Sequence, residues 1–207
     1  LVAISSLPPG LYHDEAYNGL DALRVLAGER PIFFEANNGR EPLFIYLATL
    51  SVGLLGRTPA ALRLVAATLG ILLVPAIYLL GRALWSAHWQ AALASLLAAC
   101  SVWALSLSRV AFRAGALPLC AALMLALLLR GWEKRRLGTM AAAGALCGLC
   151  LYTYLAARFA PLAVGLWALY LLIGQRRRFW WRGWLLFGAA ALAVALPLLI
   201  YFAQHWQ

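Results

Sequence analysis

The sequence is short of charge. Only 12% of its 207 residues are Asp, Glu, Lys or Arg and 65% are hydrophobic, where a soluble domain carries about 25% charge. Its mean hydropathy is +0.83. An ordinary cytosolic globule, a disordered tail and a fibrous repeat are thereby excluded. Acid is scarcest of all, and beyond residue 41 only Glu133 remains. Cysteine is also rare, and Cys100, Cys120, Cys147 and Cys150 lie inside apolar runs. That setting argues against a secreted disulfide framework. His13, His88 and His205 are dispersed and fit no metal-ligand spacing. No Gly-rich phosphate loop, Rossmann fingerprint or GxSxG elbow occurs, so no directly bound nucleotide cofactor is expected. Internal repeats, low-complexity linkers and a soluble domain are likewise missing.

What is present is basic. The isoelectric point is about 10.1 and the net charge is +10. On so apolar a chain, basicity reads as membrane orientation rather than nucleic-acid binding. The charge is unevenly distributed. Residues 1–41 carry net −3, from six acids against Arg24, Arg30 and Arg40, and the remainder carries +13.

A spanning helix needs about 20 mostly apolar residues. Qualifying runs lie at about 61–82, 88–107, 110–129, 138–157, 159–174 and 183–203. The expected fold class is therefore all-α, a polytopic bundle forming a single transmembrane domain over 1–207. Residues 1–7 read as the end of a preceding span, 8–58 as an external loop with interfacial helices, and 59–203 as six transmembrane helices. Both ends of the chain read as cuts within a longer membrane protein. Arg130 to Arg136 and Arg176 to Arg182 form two basic clusters, which the positive-inside rule places in the cytoplasm. Counting back, the turns at Arg109 and at Arg57 lie outside. With the acidic segment also outside, residues 42–56 read as an interfacial helix. Trp180, Trp181 and Trp184 fit an aromatic belt at the inner boundary.

Within the acidic segment, Asp14 can cap a helix running to about Ala27. Leu20, Leu23 and Ala27 share one stripe, facing membrane, and Asp14, Asn18 and Asp21 share another, facing water. Asn37-Asn38-Gly39 signals a turn. Cys147-x-x-Cys150 lies in the small-residue stripe Gly144 to Gly148, which suits close helix packing better than redox or metal chemistry.

Several residues are candidates for chemistry. Asp14 and Glu15 are adjacent carboxylates able to accept a proton or hold a metal; alternatively they cap a helix. Glu35, Arg40 and Glu41 suit a polar substrate, with Glu35 and Glu41 possible ligands of a divalent metal, or else form a solvated loop. Arg109 and Arg113 lie outside the membrane, and four residues apart on a helix they can address one anion. They oppose the positive-inside bias, which weakens a snorkelling reading. Tyr152, Tyr154 and Arg158 supply further donors, or an interface belt.

The segment Leu11-Tyr-His-Asp-Glu-Ala-Tyr-Asn18 resembles the first-loop motif of GT-C membrane glycosyltransferases. It is closest to the dolichyl-phosphate-mannose protein mannosyltransferase-like group, which includes bacterial aminoarabinose lipid A transferases. Asn38-Gly-Arg-Glu-Pro-Leu-Phe-Ile-Tyr46, Ala61-Leu-Arg-Leu64 and Leu105-Ser-Leu-Ser-Arg109 are similar to later landmarks of that family. The chain departs from it in having Arg113-Ala114-Gly115 where an acid is common, and Arg40-Glu41 where some relatives place acid then Lys. The resemblance implies inverting sugar transfer from a polyprenyl-phosphate donor to a lipid, glycan or protein acceptor. Asp14 becomes the base or acceptor-orienting carboxylate, Glu15 its support, and Arg109 the contact to the lipid phosphate. The expected setting is the plasma membrane, with the site on its extracytoplasmic face among membrane lipids and no nucleic acid. A transporter or flippase and a non-catalytic structural subunit are the rival readings. A transporter is disfavoured because the centres of the spans are nearly free of charge.

Overall fold

The computed structural model describes residues 3–205. Among these, nine α-helices and three short 3-10 turns occur, with a single isolated β-bridge, Phe34 to Arg40. The all-α class follows from the composition. Long apolar runs in lipid must satisfy every backbone polar group internally, and helices do so. The readings that concern residues 1–2 and 206–207 lie outside the described residues. Residues 3–7, expected as the tail of a span, form a turn in which Leu7 donates its N–H to the Ala3 carbonyl at 2.8 Å.

Helix α1 spans His13–Leu26 and α2 spans Leu43–Leu55. Helix α3, Pro59–Leu84, starts where Thr58 Oγ1 accepts the Ala61 N–H at 3.2 Å and Pro59 occupies the first turn. Helices α4, His88–Cys100, and α5, Val102–Arg109, follow. Then come α6, Ala116–Glu133; α7, Leu137–Cys150; α8, Phe159–Gly174; and α9, Trp181–Gln204. Among the described residues, four segments are long and apolar enough to cross a membrane: Pro59–Leu84, Arg113–Glu133, Leu155–Gly174 and Trp181–Gln204.

Two of the six expected runs differ from straight spans. The run 88–107 is broken at Ser101, where α4 and α5 meet at 54°. Ser101 Oγ caps α5 by accepting the Ala104 N–H, so a polar cap inside an apolar run starts a new helix. The run 138–157 is helical only to Cys150, and residues 151–154 form a turn. There Tyr152 replaces helix with tertiary bonds. Its hydroxyl donates to the Val194 carbonyl at 2.8 Å and accepts the Leu198 N–H at 3.3 Å, astride Pro197 of α9. Its carbonyl accepts the Leu43 N–H at 3.0 Å.

With α4 and α5 counted as one bent segment, the helices from α3 to α9 run alternately, which gives the bundle two ends. One, here the loop end, gathers α1, α2, the start of α3, the turns after α5 and α7, and the end of α9. The other, the basic end, gathers the turns after α6 and α8. Both ends of α2 are fastened to the loop end: Leu43 to Tyr152, and Ser51 Oγ to the Ala61 carbonyl at 2.6 Å. At about 1.5 Å per residue, its 13 residues are too short for a ~30 Å hydrocarbon core. It lies across the end of the bundle with Phe44, Ile45, Ala48 and Val52 buried and Leu50 and Leu54 outward.

Helices α7 and α9 pack closely through the stripe read from sequence. A methyl group on Gly144 would lie 2.1 Å from the Phe187 carbonyl oxygen, and one on Gly148 would lie 2.5 Å from that of Ala191. Cys147 and Cys150 are buried and unbridged there. Trp184, expected in a boundary belt, is instead buried among Trp167, Phe179 and Phe187, with Trp181 left exposed.

Candidate active site at the loop end

The first turn of α1 separates the two carboxylates that the sequence places side by side. Successive helical residues point about 100° apart, so Asp14 and Glu15 meet different surroundings. Glu15, not Asp14, closes the helix start: its Oε2 accepts the Tyr12 N–H at 2.9 Å. It is fully buried against Arg63 of α3, with Nε to Oε1 at 2.9 Å and Nη2 to Oε2 at 3.0 Å. Its Oε1 also accepts the Ala111 N–H at 2.8 Å. Burial alone would raise the Glu15 pKa. Hydrogen bonds from Arg63, Ala111 and Tyr12, with the Arg63 charge, outweigh it and hold the carboxyl below its ordinary value. Arg63 is itself saturated, donating further to the carbonyls of Ile4, Pro8 and Gly10. One guanidinium thus ties the segment before α1, α1 itself and α3 into a unit.

The stripe expected to offer Asn18 and Asp21 to water is buried. Asn18 Nδ2 donates to the Ala111 carbonyl at 2.9 Å, and its Oδ1 accepts from Arg40 Nη1 at 3.3 Å. Asp21 pairs with Arg40, which also donates to the Ala36 carbonyl and lies over the Tyr17 ring. A water-facing stripe is overturned because the buried Arg40 guanidinium and the Ala111 carbonyl supply the partners that water would have supplied. Of the apolar stripe, Leu20 is 58% exposed and Ala27 is exposed, whereas Leu23 packs partly buried against the core around Ala22, Phe44 and Leu62.

Asp14 is different. Its side chain is 34% exposed, with His13 Nδ1 at 3.9 Å. Its Oδ1 accepts from Asn37 Nδ2 at 2.9 Å. Asn37 belongs to the segment 35–40, which joins three parts of the site. Glu35 accepts from the Tyr201 hydroxyl of α9 at 2.6 Å, Asn37 meets Asp14, and the Gly39 carbonyl accepts from Arg113 at 2.8 Å. Gly39 is required in this turn. Its φ is +77°, and a Cβ would lie 2.6 Å from the Phe33 ring.

Arg109 and Arg113 are not on one helix, contrary to expectation. Val110 is extended after the end of α5, and Arg113 opens a separate 3-10 turn. Arg113 approaches Glu41 at 3.4 Å and stacks over Tyr154 at 5.5 Å. Arg109 instead lines a cavity of about 290 Å³ between α3 and α5, whose walls include Ala67, Gly70, Ile71, Leu105 and Ser108. Gly70 and Ser108 approach closely in its wall, where a Cβ added to Gly70 would lie 2.5 Å from Ser108 Cβ. A second cavity, of about 400 Å³, brings Glu41 and Arg158 together beside Phe202 and His205. Arg158 lies 5.5 Å from the Phe202 ring centre. Glu35 and Glu41 are therefore engaged with Tyr201 and Arg113 respectively. Among the described residues no group of three His, Cys, Asp or Glu side chains converges on one point.

The structure thus gathers Asp14, Glu15, Arg109, Arg113, Tyr154, Arg158, Glu35, Arg40 and Glu41 at the loop end. Within that end Glu15 and Arg40 belong to a buried scaffold, Arg109 lines one cavity, Glu41 and Arg158 line the other, and Asp14 lines neither and is partly open to solvent. Residues 39–201 match the family model for dolichyl-phosphate-mannose-protein mannosyltransferases, which covers most of the chain. The chain belongs to this family. It is a multi-pass membrane glycosyltransferase of the GT-C type. No curated protein and no solved structure matches it. The matched region includes Arg109, Arg113, Tyr154 and Arg158 but begins after Asp14 and Glu15.

Arg63 is the site residue that the candidate set lacked. Its signal was present: an arginine within an apolar run requires a partner, and a carboxylate is the strongest one. Asn18 gave no such signal, because its partner is a backbone carbonyl 93 positions away.

Proposed function

We propose that this mannosyltransferase-family member transfers a sugar from a polyprenyl-phosphate donor to an acceptor hydroxyl on a lipid, glycan or protein. The reaction runs at the extracytoplasmic face of the plasma membrane, with inversion at the anomeric carbon. The observation that carries this reading is the contrast among the three acids of α1. Glu15 and Asp21 are buried on guanidinium groups, whereas Asp14 is half-open and held by a neutral amide. A carboxylate that is open to solvent and not hydrogen-bonded to a guanidinium is accessible to an acceptor hydroxyl.

In the proposed displacement, the acceptor oxygen attacks the anomeric carbon as the bond from that carbon to the phosphate oxygen breaks. The hydroxyl proton passes to Asp14. The electron pair leaves with the polyprenyl phosphate, whose growing charge faces Arg109. The apolar walls beside Arg109 suit a prenyl chain with its phosphate at the mouth. Glu15 and Arg63 position α1, and Arg113 positions the loop through Gly39. Carboxylates as a class are weak bases, so orientation supplies much of the rate. The cavity that joins Glu41 to Arg158 suits the hydroxyl groups of a sugar or acceptor.

The test is sugar transfer by the full-length protein from defined polyprenyl-phosphate sugars. Asp14→Asn is expected to lower turnover on the order of 10²–10⁴-fold. The thermal unfolding midpoint should stay unchanged, since the Asn37 contact is preserved in kind. Wild-type turnover in Asp14→Asn overturns the role assigned to Asp14.

A further inference from the structure

At the basic end, the turn after α6 meets the 3-10 turn Arg176–Arg178 that follows α8. Trp132 Nε1 donates to the Arg178 carbonyl at 3.3 Å and holds the two together. Between them is an open cavity of about 460 Å³. Its lining includes Leu129 and Trp132 as an apolar wall, Arg135, Arg177 and Arg178 as cations, and Glu133 as the one acid. Among the described residues, none of these three guanidinium groups is in an ion pair. The lining therefore presents a net positive charge into a space within the usual size range of ligand pockets.

Arg135 is held there against its backbone preference. Helix α6 ends in a Schellman arrangement, with the Arg136 N–H on the Gly131 carbonyl at 3.0 Å. The residue between helix cap and bond donor must be left-handed, a place usually given to glycine. Here it is Arg135, at φ +49°. Neither helix termination nor packing calls for a guanidinium at that position, and its side chain finds no protein partner among the described residues.

We propose that this cavity binds the phosphate of an anionic membrane phospholipid. Planar guanidinium groups suit phosphate oxygens, and aromatic residues such as Trp132 favour the headgroup level. Basic pockets between the ends of transmembrane helices are a recurring form of anionic-headgroup site. Ile173, in the last turn of α8, and Trp181, the first residue of α9, flank the Arg176–Arg178 turn in sequence and are largely exposed, giving acyl chains an apolar surface to follow. Glu133 faces the same space and accepts hydroxyl donors of a headgroup such as phosphoglycerol. The site lies at the opposite end from the sugar-transfer cavities and is independent of that reading.

The test is thermal unfolding of the full-length protein in an uncharged detergent, titrated with phosphatidylglycerol, phosphatidylcholine or inorganic phosphate. Phosphatidylglycerol is expected to raise the midpoint saturably by roughly 5 °C, and phosphatidylcholine to have little effect. Arg177→Gln with Arg178→Gln should abolish the phosphatidylglycerol shift. Arg135→Gly separates binding from folding: without lipid its midpoint should equal or exceed wild type, while at least half of the lipid shift is lost. Equal shifts from the two lipids, or a full phosphatidylglycerol shift in Arg177→Gln with Arg178→Gln, overturn the proposal. A shift reproduced by millimolar inorganic phosphate overturns the lipid assignment in favour of a free-anion site.

Discussion

Arginine does different work at the two ends of this bundle. At the loop end, Arg63 and Arg40 are buried, and each is shared among a carboxylate and several carbonyl or amide oxygens. At the basic end, Arg135, Arg177 and Arg178 are exposed around an open cavity. Burial forces pairing, because an unpaired charge removed from water costs several kcal/mol. Exposure removes that demand and leaves the charge available to something outside the protein. The loop end is thus a rigid scaffold in which almost every charge is spent internally, and Asp14 stands out because it is not. The basic end is an adhesive surface.

The most severe way to break this contrast is to strand a charge at the loop end. Arg63→Met leaves Glu15 buried with only the Ala111 and Tyr12 N–H groups. It should lower unfolding stability by about 3–5 kcal/mol, read from thermal or denaturant unfolding. It also releases the carbonyls of Pro8 and Gly10, so the segment leading into α1 should become sensitive to protease. Adding Glu15→Gln to Arg63→Met should recover part of the loss, since no buried charge remains. A double variant less stable than Arg63→Met alone would show that Arg63 acts through the carbonyls and not through Glu15.

Acid provides a milder version of the same experiment. The folded protein holds the Glu15 carboxyl below its ordinary value of 4.5. Its contribution is therefore complete above about pH 4.5 and is lost as the pH falls through the folded value. Wild type should lose stability on acidification over that window. Arg63→Met removes the strongest opposition to burial, so Glu15 should then take up a proton more readily folded than unfolded. In that variant the Glu15 contribution changes sign, and acidification from neutral pH down to about pH 4.5, above the window in which wild type loses stability, should relieve part of the defect. A parallel decline in both proteins would assign acid sensitivity to other carboxylates.

How far these roles were legible in the sequence also follows the contrast. The apolar runs announced the helices, because lipid leaves few alternatives to helix. The charge asymmetry announced two unlike ends, and the Asp14-Glu15 pair marked where α1 begins. The Gly144 to Gly148 stripe announced a close helix contact. What stayed hidden was pairing across distance. Nothing local distinguishes Asp14 from Glu15; the difference is made by Arg63 and Ala111, 48 and 96 positions beyond Glu15. Asn18 and Asp21 read as a wet face because their partners come from the loop at Arg40 and the turn at Ala111. The break at Ser101 was hidden for a different reason: hydropathy averages over a window, whereas one hydroxyl is enough to start a new helix.

The smallest expected effect sharpens the comparison most. Arg40→Gln and Arg176→Gln are the same chemical change, one at each end. At the loop end it leaves Asp21 buried with only the half-exposed Arg24 as a cation, at 3.3 Å, and removes the donor to Asn18. A loss of roughly 2–4 kcal/mol is expected from breaking such a network. At the basic end, Arg176 is exposed, and the change should stay within about 0.5 kcal/mol. Unfolding midpoints of both variants in the same uncharged detergent give the ratio directly. A loss at Arg176 as large as that at Arg40 would mean that the basic end, too, is built from its arginines. In that case its charge would belong to the fold and not to what the fold touches.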